Sequence, residues 1–215
     1  ILGAPILWIL KMPVRTFLPA ITFPNWGNMG LPLCLFAFGE PGLVLGVVFF
    51  AVGAVAHYTF GVWALSGEST PTRLLRTPLL YAAAAALTFQ WFGASPPIWL
   101  ANTTSLMGGL TIPLLLLTLG VSLAHTKIAN FARAGQLAVL RLSIGFGVGL
   151  AVSTGFGFTG VERGVVILDC TMPTAVFNYL LAARFGTAPQ DIAGAVVVST
   201  ILSVLTLPLI LFLVL

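Results

Sequence analysis

Apolar runs long enough to cross a bilayer recur along this chain, with only short polar connectors between them. After a shorter stretch at 1–10 they occupy 14–38, 42–65, 74–93, 104–124, 134–158, 164–184 and 190–214. The connectors are SGESTPTR at 66–73, GASPP at 93–97, AHTKIANFAR at 124–133, VER at 161–163 and GTAPQD at 186–191. A membrane-spanning helix needs about 20 apolar residues, and in lipid every backbone amide must find its partner inside the protein, which leaves helices or closed barrels. Composition agrees: 59% of residues are apolar and 7% charged, where soluble domains carry about 25% charged residues, and the mean hydropathy is +1.09. The expected class is an all-α polytopic membrane protein of seven full spans plus the tail of another, without a soluble domain. The chain opens inside an apolar run and without Met, which reads as a chain whose true start lies upstream.

The net charge of +4 would suggest nucleic acid in a soluble protein. Here the basic residues stand singly between apolar runs and read as topology signals. With connectors alternating sides, one side receives Lys11, Arg15, Arg73, Arg76, Lys127, Arg133, Arg141 and Arg184. The other receives Arg163 alone, with Glu40 and Glu162. The basic side is expected to be cytoplasmic and the C-terminus outside. Cys34 and Cys170 both lie in apolar segments; they give neither metal spacing nor evidence of a disulfide.

Two spans are interrupted near their middles. The 14–38 span carries Pro24, Gly27, Gly30 and Pro32, and the 164–184 span carries Pro173. Proline removes a helical hydrogen bond and clashes with the preceding turn; glycine loosens the helix further. One break alone could be an ordinary proline kink. Two, in spans that the alternating topology runs in opposite directions, match the broken helices of an inverted-repeat transporter, whose freed backbone groups line a cavity.

After each break a new half-helix begins. Its first N–H groups lack intrahelical partners and its dipole is positive there, so two such ends meeting in mid-membrane can hold a carboxylate without Arg or Lys. Asn25, Asn28, Thr174 and Asn178 stand at these ends and are the candidate substrate-binding residues, with Pro24, Gly27 and Pro173 making the breaks. The same side chains could instead simply cap the half-helices, and the two roles can coexist. Asp169 lies on the opposite, carbonyl-bearing side of its break; an ionisable residue at that depth is a candidate for carrying a coupling proton or binding a cation, or for a structural hydrogen bond to a neighbouring span.

Other polar residues carry weaker signals. His57 and Gln90 within spans read as hydrogen-bonded core residues before proton relays. Ser199, Ser203 and Thr206 form a stripe on the last span that reads as helix-packing glue, and Gly145, Gly147 and Gly149 include a small-xxx-small pair suited to close packing.

The motifs at the breaks resemble the auxin efflux carrier family. Pro24-Asn25, then Met29-Gly30-Leu31-Pro32 and Phe38-Gly39-Glu40, look like its first crossover. The stretch MPTAVFNYLLAARFGTAPQDIAGAVVVSTILSVLTLPL at 172–209 is similar to its second crossover and final helix, and TIPLLLLTLGVSLAHTKI at 111–128 to its seventh helix. The resemblance covers nearly the whole chain. It implies ten helices in two inverted five-helix repeats, the bile-acid-symporter-like fold, with a crossover-bearing core that moves like an elevator against a scaffold. It also implies an organic-anion substrate with Asn25 in the carboxylate-binding position. Plant members tend to have a second proline where this chain has Asn178, so the pattern is closer to the bacterial branch associated with malate or malonate. On this basis 1–65 is the end of the first repeat and 74–215 the second, the first two helices and most of the third being absent.

The expected function is secondary transport of a small mono- or dicarboxylate, with H+ or Na+ as possible coupling ions and a homodimer as a possible assembly, in the bacterial inner (plasma) membrane. No cofactor is expected. The alternatives are a sodium-coupled carrier of the bile-acid-symporter type, or a channel or non-transporting structural protein. An intramembrane aspartyl protease would need a membrane partner for Asp169, and Asp191 lies in a connector; Ser66 and His57 share one helix, and no HExxH motif or Cys/His cluster is present. These absences argue against an enzyme.

Overall fold

The computed structural model describes residues 3–67, 78–124 and 129–214. Arg73, Arg76 and Lys127, counted above as topology signals, lie outside them, as does the side chain of Gln90. The described residues are helical: α1 (Gly3–Ile9), α2 (Val14–Thr22), a π-helical turn (Trp26–Gly30), α3 (Leu31–Ala56), a second π-helical turn (His57–Gly61), α4 (Val62–Ser66), α5 (Pro78–Trp91), α6 (Ile98–Ala124), α7 (Phe131–Gly155), α8 (Gly160–Thr171), α9 (Val176–Phe185) and α10 (Pro189–Val214). Among the described residues four stretches are each long and apolar enough to cross a membrane: Trp26–Ser66, Ile98–Ala124, Phe131–Gly155 and Pro189–Val214. The two interrupted spans appear as pairs of shorter helices, because neither helix continues through its proline break.

The 41-residue stretch Trp26–Ser66 would be about 60 Å long if straight, twice the hydrocarbon thickness of a bilayer. It is not straight. Gly39, with φ 66° and ψ −158°, interrupts α3 at the expected connector, next to Pro41. Beyond it Gly42, Gly46 and Gly53 are buried and pack back on Phe38, Cys34 and Trp26 respectively. The partner numbers fall as the glycine numbers rise, which is the pattern of an antiparallel hairpin folded at Gly39. A Cβ on Gly46 would sit 3.2 Å from the Cys34 Cβ; small residues let the two backbones approach, as membrane helix pairs require. On the other face Val44, Val48 and Val52 are exposed at a spacing of four, forming an apolar outer stripe.

The same device joins α7 to α8. A Cβ on Gly145 would collide with the Cys170 carbonyl, and one on Gly149 would lie 3.1 Å from the Cys170 Cβ, whereas Gly147 faces open space. The close packing expected of this glycine run is therefore present, carried by Gly145 and Gly149. A core of Leu7, Phe17, Ala20, Ile21, Leu137, Ala182, Ile192 and Ala195 ties α1 and α2 to α7, α9 and α10. A second, around Cys34, Val165, Leu168, Met172 and Leu207, ties α3 to α8 and α10. Both cysteines are free.

Lys11 and Arg133 line one concavity and Arg15 a neighbouring one, with Thr16 common to both, so these three topology residues share one end of the molecule. Arg133 pairs there with Asp191 at 2.6 Å. Arg141 does not belong with them. It is buried, at 3% exposure, about 15 Å along α7 from its start, and its guanidinium is spent on backbone carbonyls at the two helix breaks. It is a structural cation, and the count of orientation signals loses it.

Candidate anion site at the crossed helix breaks

The two breaks meet. Pro24 and Thr174 form an isolated antiparallel β-bridge, flanked by Asn25 N–H donating to the Pro173 carbonyl at 2.7 Å and Ala175 N–H donating to the Phe23 carbonyl at 3.1 Å. In such a pair the bridged residues turn their own N–H and C=O groups away from each other. Pro24 therefore occupies a position whose missing N–H the bridge does not need, and Thr174 N–H points outward, where Ser199 Oγ accepts it at 3.1 Å. The prolines that end the helices are thus compatible with the short ladder that joins them.

Side chains then lock the crossing. Asn178 donates from Nδ2 to the Phe23 carbonyl at 3.0 Å, and its Oδ1 is 2.8 Å from His57 Nε2. Since Nδ2 is the donor, Oδ1 is an acceptor and His57 Nε2 carries the proton. The His57 ring stacks on Phe23 with centroids 4.2 Å apart and meets Phe177 edge-on at 5.0 Å. Thr174 Oγ1 donates to the Ala20 carbonyl at 3.0 Å. Ser203 Oγ lies 3.9 Å from Met29 Sδ and 2.6 Å from the Thr200 carbonyl. The serine stripe of the last helix thus faces the breaks, and Ser199 binds one of them directly.

The N-terminal sides of both half-helices open on one cavity of 550 Å3. Asn25, Trp26, Gly27 and Asn28 line it from the first, and Ala175, Val176 and Phe177 from the second; His57, Tyr58, Thr118 and Ser122 complete its polar and aromatic wall. Asn25 Nδ2 and Trp26 Nε1 are buried donors with no hydrogen-bond partner among the described residues. Thr174 and Asn178 are fully buried behind this surface and engaged in the bonds above. Of the four polar residues named from the sequence, two therefore face the cavity and two hold the crossing together. Tyr58, Thr118 and Ser122 carry no sequence signal, since each stands in an otherwise apolar helix whose facing direction depends on its neighbours.

On the carbonyl side, Arg141 binds both broken helices at once. Nε donates to the Met172 carbonyl at 3.1 Å, and one terminal nitrogen donates to the carbonyls of Ile21 at 2.8 Å and Thr22 at 3.3 Å. The other donates to the Cys170 carbonyl. Asp169 lies one turn before that break, 1% exposed. Cys34 Sγ donates to its Oδ1 at 3.7 Å, a Cβ on Gly30 would come within 2.5 Å of the same oxygen, and Oδ2 has no partner among the described residues.

Residues 62–211 match the family model described as membrane transport protein. Over 198 residues, 88% of this chain and 65% of the relative, it is 28% identical to an "Uncharacterized transporter" of Methanothermobacter thermautotrophicus. It is 23% identical over 195 residues, 86% of this chain and 63% of the relative, to an "Uncharacterized transporter" of Methanocaldococcus jannaschii. It is also 23% identical over 206 residues, 89% of this chain and 64% of the relative, to a "Putative malonate transporter" of Rhizobium meliloti. The chain spans a little under two thirds of the length of these relatives. With apolar helices, two broken spans and a family match over most of its length, the chain is an integral membrane protein of the membrane transport protein family, the auxin efflux carriers that its crossover motifs resemble.

Proposed function

We propose that this protein carries a small organic anion, a mono- or dicarboxylate such as malonate or malate, held between the N-termini of the two half-helices. The observation that carries the reading is the shared cavity: two helix N-termini converge on it, Asn25 and Trp26 line it and each has a buried, unpartnered donor, and among the described residues no Lys or Arg lines it. Helix N-termini favour anions through their free N–H groups and dipole. Asn25 and Asn28 donate to the carboxylate, while Thr174 and Asn178 keep the two ends in register. The name of the Rhizobium meliloti relative supports a dicarboxylate.

In this reading the crossing helices belong to the mobile part of an elevator built from two inverted repeats, with 1–65 contributing to the first and 74–215 to the second. The site then alternates between the two sides of a bacterial inner membrane, with the C-terminus outside. Asp169, buried before the second break against Gly30 of the first and with an unpartnered oxygen, is the candidate for a coupling proton.

The test is uptake of radiolabelled malonate and malate into proteoliposomes, wild type against Asn25→Ala. Saturable uptake that the substitution abolishes, with the melting temperature unchanged, supports the reading. Normal uptake by Asn25→Ala would sink the site assignment, and linear, non-saturable flux in the wild type would favour a channel.

A further inference from the structure

We propose that Arg141 is a built-in cation that takes the place of a bound metal cation at the carbonyl ends of both broken helices, so that this crossover binds no sodium. In transporters with discontinuous helices, the C-terminal ends and unwound carbonyls of the half-helices are where coupling cations sit. Here the carbonyls of Ile21 and Thr22 close one half-helix, and those of Cys170 and Met172 close or follow the other; all four accept from the one guanidinium.

The charges match. Each helix C-terminus carries roughly half a negative charge, so two of them together offset one Arg. The geometry also matches the residue type. A planar fork with donors on three nitrogens can serve carbonyls from two chain segments at once, and a guanidinium keeps its charge where an ammonium readily loses it. A sodium ion would need the oxygen atoms that Arg141 already holds, and would meet a like charge beside them. Close access is also built in: Gly145, one turn along α7 from Arg141, lets the α8 carbonyl end approach, because any side chain there would collide with the Cys170 carbonyl.

The consequence deepens the carrier reading, on which its transport arm rests. Sodium held on these four carbonyls is then excluded as the coupling ion, and a proton at Asp169 or the substrate's own gradient takes its place in the carrier reading.

The melting temperature of the purified protein, measured in detergent at constant ionic strength with sodium exchanged for choline, tests the proposal without any transport assay. The expected change is below about 1 °C, whereas a sodium site loaded at a hundred times its Kd would add about 5–10 °C. A saturable, sodium-specific rise overturns the proposal. Arg141→Lys and Arg141→Met then separate charge from bulk. Lys should melt well above Met, and expression of the Lys variant alone counts in the same direction. Met equal to or above Lys overturns the proposal, and if neither variant folds the sodium titration of the wild type still decides. In proteoliposomes, uptake should proceed at equal rates in sodium and choline. Absence of malonate and malate uptake in both media would sink the carrier reading while leaving the melting results to stand or fall alone.

Discussion

Asn178 Nδ2 donates to the backbone carbonyl of Phe23, 155 positions earlier in the chain, at 3.0 Å. Through this bond the second half-helix holds the last residue before the Pro24 break, and His57 holds Asn178 in turn at 2.8 Å. Removing Asn178 would strand the buried His57 Nε2–H and leave the Phe23 carbonyl with the Ala175 N–H as its remaining donor. Asn178→Ala should therefore cost about 1–3 kcal/mol, the cost of one buried group left unsatisfied. Chemical unfolding in mixed micelles measures it; a loss under about 0.5 kcal/mol would show that the lock is dispensable.

The four polar residues at the half-helix starts should separate into two phenotypes. Alanine at Asn25 or Asn28, which line the cavity, should reduce malonate uptake at least about tenfold, the loss of a charge-assisted hydrogen bond of about 1.5–3 kcal/mol, with little change in melting. Alanine at Thr174, which is fully buried and donates to the Ala20 carbonyl, should lower stability by about 1 kcal/mol. Paired uptake and thermal-melt measurements on the same preparations distinguish the classes, and an Asn25 variant that melts early but transports normally would reverse the assignment.

Ser199→Ala should be more damaging than Ser203→Ala. The first leaves the Thr174 N–H buried and unpartnered, at about 1–3 kcal/mol. The second removes a bond to its own helix and a weak approach to Met29, so about 0.5 kcal/mol or less is expected. Denaturation midpoints of the two variants provide the comparison, and equal losses would count against the bridge as the sensitive point.

The helical hairpin depends on bare glycine surface. Gly53→Val must displace the Trp26 ring and Gly46→Val must push on Cys34; overpacking of this kind costs about 1–3 kcal/mol. Gly120→Ala meets open space and should be neutral or stabilising by up to about 1 kcal/mol, from helix propensity alone. Melting temperatures of the three variants test this, and tolerance of valine at both packed positions would rule out the tight hairpin.

Asp169→Asn should leave malonate exchange intact and remove its response to an imposed pH gradient, if the buried carboxyl carries the coupling proton. Counterflow and gradient-driven uptake in the same proteoliposomes read the two steps separately. A variant still driven fully by the gradient would relieve Asp169 of that role and leave it a structural partner of Cys34.

Much of this architecture was legible from local chemistry. Apolar run length and sparse charge determined a helical membrane protein, and Pro24 and Pro173 marked where helices had to stop, because proline acts on its own backbone wherever it stands. The two breaks and the polar residues beside them were therefore readable without coordinates. Where side chains end up was not. Arg141 reads as an orientation signal by its position in the sequence, yet it binds carbonyls 120 positions earlier and 29 later. Thr174 and Asn178 share the polar character of Asn25 and Asn28, yet they turn inward while the asparagines of the first break face the cavity. Ser199 looks like any small polar residue of a packed helix until the bridge directs the Thr174 N–H toward it. Each of these outcomes depends on which helix lies opposite, a relationship between segments far apart in the chain that no local propensity encodes. The sequence by itself determined the membrane class and the two broken helices; only the tertiary structure decided that they cross as a β-bridge, which side chains lock that crossing, and that an arginine holds its carbonyl ends.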